Sequence, residues 1–178
     1  ILKWRNARAV FLFAAAALTA LGAPPHGTAQ CVRIEEGFGG FQTGVRPVGW
    51  TFANCNSDTD TYVTAGDYGT ATPSLRLDAT GDVVASPAFA TPDNLYFWIK
   101  GQSAAPSSHL MVEEFYESTW FHFTDIYSIP SSGTSHGPFP LNPSSVQVRF
   151  SWFDNGGDLA LDDVLVSCVS TPTPSPVT

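Results

Sequence analysis

Two adjacent aspartates, Asp162 and Asp163, lie within the last apolar run of the sequence, residues 157–168. The leucines, alanine and valines around them predict a strand that is apolar on both faces, as in the centre of a sheet. A carboxylate in such a strand needs a partner, because an unpaired buried charge costs several kcal/mol. A hard cation such as calcium, which prefers oxygen ligands, is a suitable partner. The alternative is that both aspartates lie at a strand end and are solvated.

Strict alternation along this strand predicts that Asp162 and Asp163 point to opposite faces of the sheet. At most one of them is then expected on a given inner surface. The same alternation predicts two apolar sets, with Leu159, Leu161 and Leu165 on one face and Ala160, Val164 and Val166 on the other.

Aromatic side chains are the second feature with binding chemistry, and they make up 13% of the sequence. An exposed Trp or Tyr stacks on the apolar face of a sugar ring, while neighbouring polar groups hydrogen-bond the hydroxyls. Most of these rings are needed to fill a core, so one or two are expected at a binding surface. The candidate ligand-binding residues are Trp98, Trp120, Tyr68, Tyr96 and Trp152, and the first two are favoured because each flanks a polar loop.

Patterns that indicate catalysis are weak. Residues 133–137 spell Gly-x-Ser-x-Gly, but Pro138 and Pro140 preclude the helix that a nucleophile elbow needs, and no histidine follows His136. This stretch is therefore interpreted as a flexible loop. The histidines lack zinc-ligand spacing, and His122, between two phenylalanines, is predicted on a strand surface. We predict no enzyme.

The N-terminus has the layout of a secretory signal peptide. Three basic residues precede an apolar run at 9–21, and residues 27–29 have the small-x-small pattern of a cleavage site. The run is shorter than the roughly 20 residues that span a bilayer. We predict a signal peptide at 1–29, a secreted or cell-surface location, and no membrane insertion after its removal.

Net charge restricts the partners. The chain has 8 Lys and Arg against 16 Asp and Glu, and the signal peptide holds three of the basic residues and none of the acidic ones, so 5 against 16 leaves −11. Such a surface repels phosphate backbones but not divalent cations or neutral sugars. We predict no nucleic-acid partner and expect a glycan or a cell-surface glycoprotein.

Short alternating segments bounded by Gly, Pro, Asn and Ser continue from residue 74, and no window has a helical period. Strands are predicted at 32–38, 62–64, 74–78, 83–86, 94–100, 109–115, 120–126, 146–153 and 159–168. Phe150 and Trp152 face one way and Arg149 and Ser151 the other, which indicates one buried side. Residues 154–158 are predicted to form a hairpin turn. About nine strands predict an all-β fold, a two-sheet antiparallel β-sandwich.

Three cysteines follow the signal peptide: Cys31, Cys55 and Cys168. Export permits a disulfide, and antiparallel pairing of the first and last strands would bring Cys31 and Cys168 together. A bond between Cys31 and Cys55 is the alternative. The predicted domains are the signal peptide (1–29), the sandwich (30–168) and a Pro, Thr and Ser-rich linker (169–178) that leads to a further domain.

The closing stretch 157–168, Gly-Asp-x-Ala-x-Asp-Asp-hydrophobic followed by Cys, resembles the end of MAM-type jelly-roll domains. Residues 31–35 resemble the family's opening Cys-x-Phe-Glu, with one extra residue and Ile34 for Phe, and 86–87, 95–101 and 110–112 resemble its middle. The layout is also similar to calcium-stabilised carbohydrate-binding modules with a jelly-roll fold. The resemblance implies jelly-roll topology and a structural Ca²⁺ held between Glu35 and Asp162 or Asp163. The family usually has four cysteines, so its disulfide pattern is not transferred.

These observations predict a secreted, non-catalytic module that binds a glycan or mediates cell-surface adhesion and carries a structural cation. A purely structural spacer domain and a small extracellular hydrolase are the alternatives.

Overall fold

A computed structural model describes residues 32–55 and 60–169 of the 178-residue chain. The predicted signal peptide, Cys31 and the linker beyond Val169 lie outside these ranges. In the described part, eleven strands form two antiparallel sheets, and the helical content is one 3-10 turn, Phe41–Thr43. The prediction of an all-β, two-sheet sandwich is confirmed. A search of the same residues finds no helix with the length and hydropathy to cross a membrane.

The first sheet has six strands and is organised around the last one. Its members are β1 (Ile34–Glu36), β3 (Thr61–Tyr62), β4 (Ser74–Leu77), β6 (Pro92–Gln102), β9 (Thr134–Pro140) and β11 (Asp158–Cys168). The order is β3-β4-β11-β6-β9, and β1 also pairs with β11. Strand β4 pairs with residues 159–161 and β1 with residues 164–166, while β6 runs along the other edge of β11. The antiparallel pairing of the first and last strands is confirmed.

The second sheet has five strands in the order β2-β5-β10-β7-β8. They are β2 (Thr51–Ala53), β5 (Val83–Ala85), β7 (His109–Tyr116), β8 (Thr119–Tyr127) and β10 (Gln147–Phe153). The core lies between the sheets and includes the fully buried Phe97, Phe150, Trp152 and Leu159. Trp152, a candidate ligand residue, is therefore a core residue. The predicted buried face of β10 is confirmed for Val148, Phe150 and Trp152, which are fully buried, whereas Val146, expected on the same face, precedes the strand and is 39% exposed.

Two sequence interpretations are wrong. Residues 154–158 do not close a hairpin, because β10 and β11 lie in different sheets and this turn carries the chain from one sheet to the other. The stretch 133–137 is not a flexible loop, because residues 134–140 form strand β9, which pairs with β6 at the edge of its sheet. An edge strand accepts proline because one row of its N–H groups has no partner strand.

A β-bulge changes which residues of β11 face the core. The register with β6 shifts between Asp162 and Leu165, and Asp163 has a left-handed backbone with φ of 47°. Leu159 and Leu161 before the bulge, and Val164 and Val166 after it, all join the core. The predicted division of the apolar residues into two alternating sets is therefore wrong beyond Leu161, because the extra residue moves Leu165 to the outer face.

Candidate functional sites

The acidic pair lies at a gap in the first sheet. Residues 159–161 pair with β4 and residues 164–166 with β1, so Asp162 and Asp163 occupy the interval between these two neighbours. The loop between β3 and β4 enters this interval from the outer face and brings Gly69 and Thr70 to the carboxylates. The bulge thus coincides with the place where the edge partner of β11 changes.

Asp162 is fully buried, opposite Trp98 of β6 on the outer face of the sheet. One carboxylate oxygen accepts the Gly69 N–H at 2.7 Å and the other accepts the Asp163 N–H at 2.8 Å. Burial raises the pKa of Asp162 to about 7 against these two donors, and the neighbouring Asp163 and Glu36 add to the rise. The buried carboxylate predicted in the last strand is therefore present, and its partners are backbone N–H groups.

Asp163 turns to the same loop, which corrects the prediction that the two aspartates face opposite sides. Its Oδ2 accepts both the N–H of Thr70, at 2.7 Å, and the Thr70 hydroxyl, at 2.9 Å. Gly69 lies so close that an added Cβ would be 2.1 Å from Asp163 Oδ2 and 3.3 Å from Asp162 Oδ2. The loop therefore requires glycine at this position.

The two glutamates of β1 differ in their surroundings. Glu35 carries a side chain that is 72% exposed and forms an ion pair with Arg33 at 2.8 Å. Glu36 is half-buried, accepts the Phe38 N–H at 2.6 Å, and has a pKa raised by burial in opposition to that hydrogen bond. It is Glu36 whose charge contributes to the raised pKa of Asp162. The structure thus places Glu36, and not Glu35, in electrostatic contact with the buried aspartate.

A cavity of about 280 Å³ opens beside this acidic cluster. It is lined by Glu35, Glu36, Gly37, Thr70, Ala71, Asp163 and Leu165. Carboxylate and hydroxyl oxygens are the chemistry that a hard cation prefers. Nevertheless, among residues 32–55 and 60–169 no group of three or more His, Cys, Asp or Glu side chains is arranged to hold a metal ion. The oxygen donors that line the cavity suit calcium. However, backbone N–H groups already donate hydrogen bonds to the carboxylate oxygens of Asp162 and Asp163.

The predicted ligand-binding residues of β6 lie on the outer face of the first sheet. Trp98 is only 9% exposed, and an added Cβ at Gly133 would come 1.8 Å from its ring. Trp98 is therefore not an exposed stacking platform, because the segment before β9 covers its ring. Tyr96 is half-buried against the backbone of Gly137, and Tyr68 is half-buried in the loop between β3 and β4. The structure does not bring these three rings together with Trp120.

Trp120 is half-buried on the outer face of the second sheet. Arg149 lies over its ring at 4.4 Å from the centroid, and the Phe115 ring is 5.1 Å away. Arg149 also forms a two-point ion pair with Glu113 on the neighbouring strand. The residues that alternate with these along the strands point into the core. Trp120, Phe115 and Arg149 therefore lie on the outer face of the sheet. We call Trp120, Phe115 and Arg149 the tryptophan end of this face.

A second aromatic group on this face was not predicted. The ring of His109 lies between those of Phe153 and Tyr127, with both centroid distances 4.6 Å and interplanar angles of 2° and 26°. The three residues are direct register partners on β10, β7 and β8. Tyr127 is 54% exposed. We call these three residues the tyrosine end; a single sequence gives no signal for them because their proximity depends on register across three strands.

The cysteine prediction is resolved in part. Cys55 is a free cysteine, which removes the alternative bond between Cys31 and Cys55. Cys168 ends β11 opposite Pro92. Cys31 lies outside the described residues, so its bond with Cys168 stays a prediction.

The two antiparallel sheets form a β-sandwich, and solved structures that share this fold include domains described as adhesin and carbohydrate-binding domains. The chain is similar to the K1 cleaved adhesin domain of Lys-gingipain from Porphyromonas gingivalis W83, with 16% identity, a TM-score of 0.56, and coverage of 78% of this chain and 99% of that one. It is also similar to the K2 cleaved adhesin domain of Lys-gingipain, with 10% identity, a TM-score of 0.58, and coverage of 76% and 99%.

A third similar structure is the C-terminal family 22 carbohydrate binding module of Clostridium thermocellum Xyn10B, with 11% identity, a TM-score of 0.50, and coverage of 78% and 93%. No protein-family model matches the sequence, and no curated protein matches it significantly. At these identities the likeness establishes the fold, and the resemblance to MAM domains stays a prediction.

Proposed function

We propose that this protein is a secreted, non-catalytic module that binds an uncharged glycan on the outer face of its five-stranded sheet. The observation that carries the proposal is the combination of aromatic rings and paired polar side chains on this one face. Trp120 and Phe115 supply apolar surface, and the ion pair of Glu113 with Arg149 lies beside them. Aromatic surface next to fixed polar groups is the composition that sugar rings require.

Two further observations support the proposal. Solved structures with the same sandwich include an adhesin domain and a carbohydrate binding module, by their own descriptions. The chain carries a formal net charge of −8, which disfavours polyanionic ligands and leaves uncharged sugars acceptable.

Affinity electrophoresis of the full chain in gels that contain a soluble polysaccharide tests the proposal. We expect retardation by at least one neutral polysaccharide from a panel of a β-glucan, a xylan and a galactomannan, and none by the acidic polygalacturonate. We expect Trp120→Ala to reduce the retardation. Migration unaffected by every neutral polysaccharide would overturn the proposal and favour a spacer role.

We also propose that calcium binds at the cavity beside Asp163 as a structural ion. The donor chemistry of Glu36, Asp163 and Thr70 supports this, and a bound ion would compete with the backbone N–H groups for the carboxylate oxygens. A ligand that binds only the folded state must raise the unfolding midpoint. Thermal melting with excess calcium and with chelator therefore tests this second proposal independently of sugar binding.

A further inference from the structure

The outer face of the five-stranded sheet has aromatic groups at both of its ends. The tryptophan end (Trp120, Phe115 and Arg149) and the tyrosine end (Tyr127, His109 and Phe153) share strands β7, β8 and β10. Trp120 and Tyr127 pair with Phe115 and His109 of β7, which are six residues apart, so a rise of about 3.3 Å per residue separates the two ends by about 20 Å. This span corresponds to several sugar rings and not to one.

Between the two ends, the outer face carries Ser151 of β10, Met111 of β7 and Asp125 of β8, which are register partners. Ser151 and Ala85 point away from the core, since their strand neighbours Phe150 and Val84 are fully buried in it. They are nevertheless only 5% and 7% exposed. Ser151 lies between Arg149 and Phe153 along β10, so a small side chain separates the two ends on this strand.

Hydrogen-bonding groups lie between the two ends on β7 and β8. On β8, His122 and Asp125 form a pair at 3.1 Å, and the His122 side chain is 55% exposed. On β7, Glu113 is held by Arg149 and faces His122 across the strand pair. These carboxylate, imidazole and guanidinium groups are suited to hydrogen-bond the hydroxyls of a sugar chain. The carboxylates of Glu113 and Asp125 disfavour an acidic sugar chain.

We propose that a single linear, uncharged polysaccharide chain lies along the strands of this face and stacks on Trp120 at the tryptophan end and on Tyr127 at the tyrosine end. This inference rests on the proposed function and adds a second anchor, Tyr127 supported by the stacked His109 and Phe153, and a ligand length. The face therefore recognises the interior of a chain and not a terminal sugar.

Titration calorimetry with a series of oligosaccharides, from two to six units of the polysaccharide that the wild-type chain binds, tests the length. Affinity is expected to rise with chain length until both ends are spanned. For the six-unit ligand, we expect Tyr127→Ala and Trp120→Ala each to weaken binding by about tenfold or more, as for a buried aromatic anchor. For a two-unit ligand, only one of these substitutions is expected to have an effect.

Tyr116→Ala is the matched control, because Tyr116 lies on β7 but stacks with Phe121 at 4.0 Å, outside both ends. Its affinity is expected to equal that of the wild type. Tyr127 is more than half exposed, so Y127A is expected to fold, and its unfolding midpoint is measured alongside.

Three results would overturn the inference. If the wild type binds polysaccharide and Y127A binds it equally well, the tyrosine end is no anchor while the proposed function stands. If affinity is already maximal for two units, the ligand does not span the face. If no neutral polysaccharide binds, or if a proline-rich peptide binds instead and is lost in Y127A, both the proposed function and the glycan assignment fall.

Discussion

Asp162 and Asp163 are neighbours in a strand, yet both carboxylates accept hydrogen bonds from one loop, Asp162 from the N–H of Gly69 and Asp163 from the N–H of Thr70. The bulge at Asp163 makes this possible, because it breaks the alternation that would send the two side chains to opposite faces. A loop between β3 and β4 is thereby fastened to the last strand at the gap between β4 and β1. The acidic pair therefore has a structural role that does not depend on any bound ion.

The first prediction concerns pH. The folded-state pKa of Asp162, about 7, exceeds the ordinary value of 3.8, so between these values the folded state binds more protons than the unfolded one. This group therefore makes the free energy of unfolding fall as pH rises from about 4 to about 7, by at most about 4 kcal/mol at about 1.4 kcal/mol per pKa unit. Above pH 7 its contribution is constant.

Urea denaturation of the wild type and Asp162→Asn, without calcium, measures this contribution. The asparagine places an N–H₂ group against a backbone donor, so the variant should be less stable by about 1–3 kcal/mol at pH 4. The free energy of unfolding of the variant should fall less steeply between pH 4 and 7. Some fall should remain, because the variant keeps Glu36 and Asp82, whose pKa values are also raised by burial. Parallel curves for the two proteins would contradict the prediction.

The second prediction separates the two glutamates of β1. If calcium binds beside Asp163, a concentration of about 100 times Kd should stabilise the wild type by about 2.7 kcal/mol at pH 8. Glu36→Gln should abolish most of this gain, because Glu36 is half-buried beside Asp162, while Glu35→Gln should retain it, because Glu35 pairs with Arg33 in solvent. Differential scanning calorimetry with calcium and with chelator is the measurement.

The opposite result, loss of the gain in E35Q alone, would restore the ligand set that the sequence resemblance implies. An unfolding midpoint that chelator leaves unchanged in the wild type would remove calcium from this site.

The third prediction concerns the cover over Trp98. Gly133→Ala places a Cβ 1.8 Å from the Trp98 ring, so the segment before β9 must move away. We expect a loss of about 1–3 kcal/mol in the free energy of unfolding, as for other overpacked sites. Gly39→Ala is the matched control, since nothing lies within 4 Å of its added Cβ.

Urea denaturation of both variants gives the comparison. Polysaccharide affinity of folded G133A should equal that of the wild type, because Trp98 lies on the other sheet. Weaker binding in G133A with unchanged stability would instead assign Trp98 to a binding surface.

The fourth prediction concerns Cys55. Burial raises the pKa of its thiol from 9.0 to about 12, with further contributions from Asp82 and Asp60. Only the thiolate reacts, so at pH 8 a shift of about three units should slow alkylation in the native protein about a thousandfold relative to the unfolded chain. Site-resolved mass spectrometry after iodoacetamide treatment, with and without urea, measures the rates; similar rates in both states would contradict the burial.

The local pattern of the sequence determined much of the sandwich. Period-two alternation and turn residues predict seven of the strands between 74 and 168 within two residues of their observed ends, because these signals depend on neighbours along the chain. The sequence pattern did not predict strand β9, because its prolines weaken the alternation that indicates a strand. Pairing with β6 stabilises β9 despite these prolines. The apolar run around Asp162 and Asp163 likewise indicated a buried carboxylate in a central strand.

The tertiary structure alone decided which side chains meet. The bulge at Asp163, the exposure of Glu35 and the cover on Trp98 all depend on strands and loops that are distant in the sequence. The stack of Tyr127, His109 and Phe153 depends on the register of three strands, since a shift of one residue would turn each ring to the other face. Register is set by the packing of the whole core, and no short stretch of sequence encodes it.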